Sequence, residues 1–341
     1  MTRCRSRLTS AVATTVGLGM LAACGASSRA SDAIDSLGEL PTVAPATTEP
    51  TATATTGPPS EREQACKDDG LATASYPALD TADGFVAELR SRGRLRVGLD
   101  ENTQGLSARN PQTGELEGFE VDLAHVIAER LFDDGETAGS VVAVPLVTSE
   151  KTDAVKHQDV DITISAVSMS CSRSEDVDFS AEYYTAHQTF LVRTDSDIRE
   201  RGDLAGRTVC VTTRSSSIGI LRSEVPDAVR QERPARTDCL LALQQGEADA
   251  YFGHDTFLYG MLEQDPTLEV RELLDPALTV SHYGIAVNRQ HRELTRLINF
   301  YLEGIVKDGT WAELVCKWLP WNCPDPDQLP VAPTPDYRRE S

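Results

Sequence analysis

Between residues 118 and 132 the apolar positions Phe119, Leu123, Val126, Ile127 and Leu131 recur at three- and four-residue steps, which predicts an amphipathic helix. Short runs of strand character surround it. GRLRVGLD (93–100) alternates apolar and polar residues after a helix, and VVAVPLV (141–147) and VDITISAV (160–167) follow as further strands. The pattern then restarts with a strand, GRTVCVTT (206–213), a helix, SSSIGILRSEV, and a second helix, DCLLALQQG (238–246), closed by Gly246. ADAYFG (248–253) is another strand. After HYGIAVN (282–288), LTRLINFYLEGIVKDG and TWAELVCKWL predict two helices, the first with Leu294, Leu297, Ile298, Tyr301, Leu302 and Ile305 as its buried stripe. Strands alternating with helices imply parallel sheets with crossover helices. The restart favours two α/β lobes over one large sheet, with a ligand site at the carboxyl ends of strands.

The first 65 residues break this pattern. Arg3, Arg5 and Arg7 precede AVATTVGLGMLAA, an apolar stretch too short to span a bilayer, so residues 1–23 read as an export signal. Its end, Leu21-Ala22-Ala23-Cys24, resembles the bacterial lipobox, in which the cysteine is lipidated and becomes the first mature residue. Residues 24–65, including TVAPATTEPTATATTGPPS, are poor in large apolar residues and read as a flexible stalk behind the anchor. Residues 331–341 read as a flexible tail. These features predict a protein held on the outer face of the cell membrane through Cys24.

Charge and cysteines narrow the class further. A net charge of −21 over 341 residues, with no basic cluster beyond the signal, argues against nucleic-acid binding. Six cysteines remain beyond Cys4 and Cys24: Cys66, Cys171, Cys210, Cys239, Cys316 and Cys323. An even count in an exported domain points to disulfides, with 15 connectivities open. No CxxC pair is present, the histidines are scattered, and no metal or cofactor is expected. GxSxG, HExxH, P-loop and GxGxxG units are absent outside the signal segment.

GRLRVGLD, GELEGFEVDLAHVIAERL, DVDITISAVSMSCSRSEDVDFSAEYY, DLAGRTVCV, LQQGEADAYFGHD, YGIAV and KDGTWAELVCKWL occur in this order over roughly residues 85–320. The ordered set resembles the extracellular solute-binding proteins of polar amino-acid ABC transporters, family 3. DENTQGLSARNP looks most like the glutamate, aspartate and glutamine binders of actinobacteria. The resemblance implies a type II periplasmic-binding-protein fold: lobe 1 over 66–187 plus 282–330, lobe 2 over 190–278, and crossings near 185–192 and 279–287. It implies a monomer that closes on glutamate, aspartate, glutamine or asparagine and presents it to a membrane permease. A second partner is a membrane sensor that controls an intracellular protein kinase.

The resemblance also implies a site. A free amino acid offers opposite charges at a fixed separation, and a guanidinium suits its carboxylate because it donates two parallel hydrogen bonds. Arg173 stands at the family's carboxylate-binding position, with Ser168 as a hydroxyl donor and Ala166 as a backbone contact. Ser172 and Glu175 are spaced as a capping box, which would add a helix N-terminus to the anion site. The competing reading pairs Arg173 with Glu175, Asp176 or Asp178. Asp255 is the implied amino-group ligand or a helix N-cap. His254 is either a side-chain reader or a surface residue, and Asp100 is a cleft acid.

Thr212, Thr213, Ser215 and Ser216 match a cluster of donors in lobe 2. Arg214, unusual among them, would favour a side-chain carboxylate or lie solvated on a loop. Residues 101–103 (Glu-Asn-Thr) stand where many relatives place a covering aromatic. Some actinobacterial relatives bridge the positions of Cys210 and Cys239. Cys316 and Cys323 are close enough for a local bridge, which leaves Cys66 with Cys171. No catalysis is expected. The remote alternative is a cyclohexadienyl dehydratase using Asp100, Glu101 or Asp255 as a proton donor.

Overall fold

The computed structural model describes residues 66–67, 71–132, 141–325 and 328–338. The signal segment, Cys24 and the 24–65 stalk lie outside the described residues. After helix α1 (Phe85–Arg92), strand β1 (Leu95–Leu99) leads into three short strands, β2 (Asn102–Thr103), β3 (Ser107–Arg109) and β4 (Leu116–Glu117), which form a small antiparallel sheet. Helix α2 (Phe119–Phe132) follows, then β5 (Val141–Pro145), α3 (Asp153–Lys156), β6 (Ile162–Thr163) and β7 (Val177–Phe179). The long β8 (Tyr184–Arg193) carries the chain to a second sheet: β9 (Thr208–Thr212), α4 (Ser217–Glu224), β10 (Val229–Arg233), α5 (Arg236–Gln244), β11 (Ala250–His254), α6 (Asp255–Leu262) and β12 (Leu268–Arg271). After α7 (Pro276–Thr279), β13 (Val280–Tyr283) brings it back to β14 (Ala286–Asn288), α8 (Arg292–Lys307) and α9 (Thr310–Trp318).

Two sheets result. The first has the order β5-β1-β6-β14-β7, with β1 parallel to β5 and β6, and β14 antiparallel to β6 and β7. The second has the order β10-β9-β11-β8-β12, with β9 parallel to both neighbours and β8 antiparallel to β11 and β12. Their cores follow from the apolar stripes. Leu95, Val97 and Leu99 of β1 pack with Leu123, Ile127 and Leu131 of α2 and Leu297, Ile298 and Ile305 of α8. The first half of β8 pairs with β13, Tyr184 opposite Tyr283, and its second half pairs within the second sheet, so these two strands join the lobes. This is the type II periplasmic-binding-protein fold.

Local chemistry explains where elements start and stop. Gly118 enters α2 at φ 139°, where a Cβ would lie 2.3 Å from the Leu106 carbonyl oxygen, so only glycine fits. The third strand is shorter than VDITISAV predicts. Glu120, buried at the start of α2, accepts the Ala166 N–H at 2.6 Å, and Ala166 turns the backbone to φ 47°. That turn ends sheet pairing and directs residues 166–173 into the cleft.

The disulfides are Cys66–Cys171, Cys210–Cys239 and Cys316–Cys323, with Cα separations of 5.6, 5.5 and 5.3 Å. They match the three pairs anticipated from the sequence. The flexible-tail reading of 331–341 needs correction over its described part. Residues 336–338 run parallel to Ser75, with Ser75 N–H donating to the Asp336 carbonyl at 2.9 Å and Arg338 N–H to the Ser75 carbonyl at 2.8 Å. Arg338 also stacks over Tyr76, and Tyr337 donates to Glu303. Backbone pairing to the far end of the fold holds this segment against the first lobe.

The lobes meet at Gly260 of α6, where a Cβ would lie 2.6 Å from the Gln104 carbonyl oxygen of the opposite lobe. A side chain here obstructs closure while leaving the α6 core contacts intact. Gly260→Leu should therefore weaken ligand affinity at least tenfold by calorimetry and leave the Tm of the ligand-free protein within a few degrees.

Candidate functional site

The cleft between the sheets contains a tight polar cavity lined by residues of both lobes. The first lobe supplies Ala166, Ser168 and Arg173 from the turn after β6, together with Lys151. The second lobe supplies Thr212, Ser215 and Ser216 from the end of β9, Arg236 from the first turn of α5, and His254 and Phe257 from the β11–α6 junction. Every contribution comes from a strand end or a helix start, where free backbone groups and short side chains concentrate.

Three cations converge here. Arg173 donates from Nη1 to the Ser168 carbonyl at 2.7 Å and from Nη2 to the Arg214 carbonyl at 3.4 Å. It pairs with no carboxylate among the described residues, and Asp176 is engaged instead by Lys156 at 2.5 Å. Burial, with Arg214 nearby, holds the Arg173 pKa down to about 10. Lys151 donates to the Ser165 carbonyl at 2.7 Å and lies 3.7 Å from Asp100 Oδ2. Its ammonium is pushed down to about 7 by burial and then by Arg236. Arg236 crosses the cleft, donating to Thr103 Oγ1 at 2.5 Å and standing 3.4 Å from Asp100 Oδ2, with its guanidinium 4.4 Å from the Phe257 ring centre. Burial alone would raise the Asp100 pKa, but Arg236 and Lys151 outweigh it and hold the carboxyl low.

A polar relay closes the opposite wall. Ser168 Oγ lies 3.1 Å from Ser216 Oγ, and Ser216 Oγ lies 3.2 Å from His254 Nε2. His254 Nδ1 is 2.5 Å from the Tyr283 hydroxyl, which is 2.9 Å from Thr256 Oγ1. Burial and then the neighbouring Arg236 push the imidazole pKa well below its ordinary value, so the ring is neutral at pH 7. The Ser215 hydroxyl has no hydrogen-bond partner among the described residues.

Of the residues singled out from sequence, Arg173, Ser168, Ala166, Thr212, Ser215, Ser216 and His254 line this cavity. Four do not. Thr213 is tied to the Arg233 carbonyl through both its N–H and its hydroxyl, at 2.8 and 3.1 Å. Arg214 is exposed and reaches across the cleft mouth to Asp153 at 3.4 Å. Asp100 stands behind Lys151 and Arg236 as their counter-charge. Asp255 lines a separate pocket with Tyr259 and Glu272.

Asp255 is the first residue of α6, and His254 occupies the N-cap position. The sequence reading is thus one residue out of phase at this junction. The expected capping box at Ser172 is also absent: the chain makes one 3₁₀ turn, Arg173–Glu175, with no side-chain cap. Serine hydrogen bonds within 168–174 hold that turn, such as Ser174 Oγ to the Ser170 carbonyl at 3.0 Å.

Lys151, Arg236 and Glu120 were missed. Arg236 carried one signal, because a cation in the first turn of a helix opposes the helix dipole and needs a reason to be there. Glu120 carried none, since an acid early in a helix looks ordinary. It is fully buried beneath the site turn, where Tyr183 also donates to it at 2.5 Å.

Burial raises the Asp255 pKa to about 6. Its folded-state value lies above the unfolded one, so the group contributes stability at low pH that is lost as pH rises through about 6. Asp255→Asn should therefore raise Tm at pH 8 relative to wild type. No such gain is expected at pH 4, and affinity for the cavity ligand should be unchanged by calorimetry.

The profile of bacterial extracellular solute-binding proteins, family 3, matches residues 95–320. The ABC transporter glutamine-binding protein GlnH of Bacillus subtilis is 28% identical over 236 residues, covering 69% of this chain and 84% of its own length. The glutamate-binding protein GluB of Corynebacterium glutamicum is 30% identical over 243 residues, covering 70% of this chain and 82% of its own. Among solved structures, the arginine-bound form of truncated ArgBP from T. maritima superposes with a TM-score of 0.58 at 28% identity, over 64% of this chain and 99% of that one. The chain belongs to the bacterial extracellular solute-binding proteins, family 3.

Proposed function

We propose that this protein is a lipid-anchored extracytoplasmic receptor that captures an acidic amino acid, glutamate or aspartate, by lobe closure and presents it to an ABC permease. The observation that carries this reading is the convergence of Arg173, Lys151 and Arg236 on one cavity, with Arg173 free of any carboxylate partner among the described residues. A planar guanidinium whose Nη1 rests on a carbonyl keeps further N–H groups for a carboxylate. Ser168 of the first lobe and Ser216 of the second meet at 3.1 Å across the cleft, so a ligand that touches residues of both lobes favours the closed state, as capture by closure requires. A second guanidinium, that of Arg236, on the same cavity as Arg173 favours glutamate and aspartate over their amides. The names of the glutamate- and glutamine-binding relatives support an amino acid as the solute.

The test is a calorimetric panel of the twenty amino acids against the mature chain. Glutamate and aspartate should bind at least tenfold more tightly than glutamine and asparagine. Saturable binding of basic or apolar amino acids alone would overturn the reading. No turnover of the bound solute is expected.

A further inference from the structure

We propose that the Cys66–Cys171 disulfide is a positioning device for Arg173, so that solute affinity depends on the redox state of this one bridge. The inference rests on the reading of the cavity as the solute site, and it names what holds that site ready. Arg173 sits in a turn with few other ties. The two ends of the turn are fixed, with the Met169 N–H donating to the His282 carbonyl and Arg289 to the Glu175 carbonyl, each at 2.8 Å. Between them, among the described residues, the hydrogen bonds of residues 170–174 stay within residues 168–176. The exception is Arg173 Nη2, which reaches the Arg214 carbonyl of the other lobe at 3.4 Å. The Arg173 N–H finds the Ser170 hydroxyl at 3.3 Å, and the 3₁₀ turn has no side-chain cap.

Cys171 supplies the missing tie to the body of the lobe. It is buried two residues before Arg173, and its partner Cys66 belongs to a segment fastened to the first lobe. The Leu71 N–H donates to the Cys66 carbonyl at 2.9 Å, and Ser75 Oγ donates to the Phe179 carbonyl at 2.7 Å and accepts from Asn299 Nδ2 at 2.8 Å. The bridge thus links the turn to β7 and α8. Without it, the solute itself must order the turn, and that cost is subtracted from affinity. The other bridges differ. Cys316–Cys323 lines no part of the cavity, and Cys210 and Cys239 are fully buried in the second lobe. Cys66 is partly exposed, so a dithiol reductant has a sulfur to attack. Its thiolate attacks Cys66 Sγ and expels the Cys171 thiolate; its second thiol then closes the dithiol's own disulfide and releases Cys66. Two electrons pass from the dithiol to the bridge.

The experiment compares the mature chain with Cys66→Ser/Cys171→Ser and with Cys316→Ser/Cys323→Ser, by calorimetry with L-glutamate well below the Tm of each. The first pair should weaken glutamate binding at least tenfold and the second by less than threefold. Affinity within threefold of wild type in Cys66→Ser/Cys171→Ser would overturn the inference and leave the receptor reading intact. Reduction of the wild-type chain in dithiothreitol buffers gives a second measurement that needs no variant to fold. Coupling is reciprocal, so saturating glutamate should make the Cys66–Cys171 bridge harder to reduce by the factor the bridge adds to affinity. A bridge that merely stabilises the fold would be reduced equally with and without glutamate, and that result would also overturn the inference. If no amino acid binds the oxidised chain, the receptor reading falls and amide exchange in the ligand-free proteins decides the positioning. The Ser174 and Asp176 N–H groups should exchange at least tenfold faster once the bridge is removed, and unchanged exchange would sink the inference as well.

Discussion

Arg173→Ala abolishes measurable binding of glutamate and aspartate, with a loss of at least a thousandfold, while the Tm of the ligand-free protein moves by no more than a few degrees. The asymmetry follows from what the side chain touches. Its protein partners are two backbone carbonyls, of Ser168 and Arg214, and in the open state both can be satisfied by water. Against a bound carboxylate it is one member of a desolvated charge pair, and removing one member of such a pair costs about 3–5 kcal/mol. Arg173→Lys keeps the charge but not the fork, and should recover only part of the affinity. Glutamate binding at wild-type strength in Arg173→Ala would remove this residue from the site.

Arg236→Met is expected to cost at least a hundredfold in affinity through a different route. Arg236 and its partners Asp100 and Thr103 sit on opposite lobes, so the contact exists only when the cleft is shut. Methionine keeps contact with the Phe257 ring but leaves Asp100 buried with Lys151 as its remaining counter-ion. That penalty falls on the closed state alone, because opening returns Asp100 to water. Small-angle scattering with saturating glutamate should show a smaller closed fraction than wild type. Asp100→Asn combined with Arg236→Met removes the stranded charge, and should restore closure while leaving affinity low. If the double variant regained full affinity, Arg236 would be a latch with no direct part in recognition.

The legible parts of this protein were those set by short-range pattern. The helices α2, α5, α8 and α9 and the strands β1, β9 and β11 follow from apolar periodicity within a single element. The parts that were not legible depend on partners distant in sequence. The C-terminal segment looks like a linker because its hydrogen-bonding partner, Ser75, lies at the other end of the fold. Lys151 and Arg236 look like surface cations until the fold brings Asp100 between them.

The placement of Asp255 in a second pocket has another origin. Successive side chains at the end of a strand point to opposite sides, so a shift of one residue sends the side chain to the wrong cavity. Arg173 was legible through a resemblance carried by residues on both sides of it. The 3₁₀ turn that holds it was not, because Ser172 and Glu175 have the spacing of a cap that the structure does not form.

The strand order of the first sheet has a consequence for how the protein is made. Strand β14 lies between β6 and β7, yet it is synthesised after every strand of the second sheet. The first lobe, begun earliest, cannot complete its sheet until β14, α8 and α9 have emerged, whereas the second lobe is an uninterrupted stretch that can assemble ahead of it. A growing or translocating chain therefore carries a finished second lobe beside a first lobe whose apolar β1 and α2 surfaces lack the α8 face that covers them. Exposed surface of that kind is where chains aggregate during synthesis. The vulnerable interval ends only with the last tenth of the chain, when Tyr337 reaches Ser75.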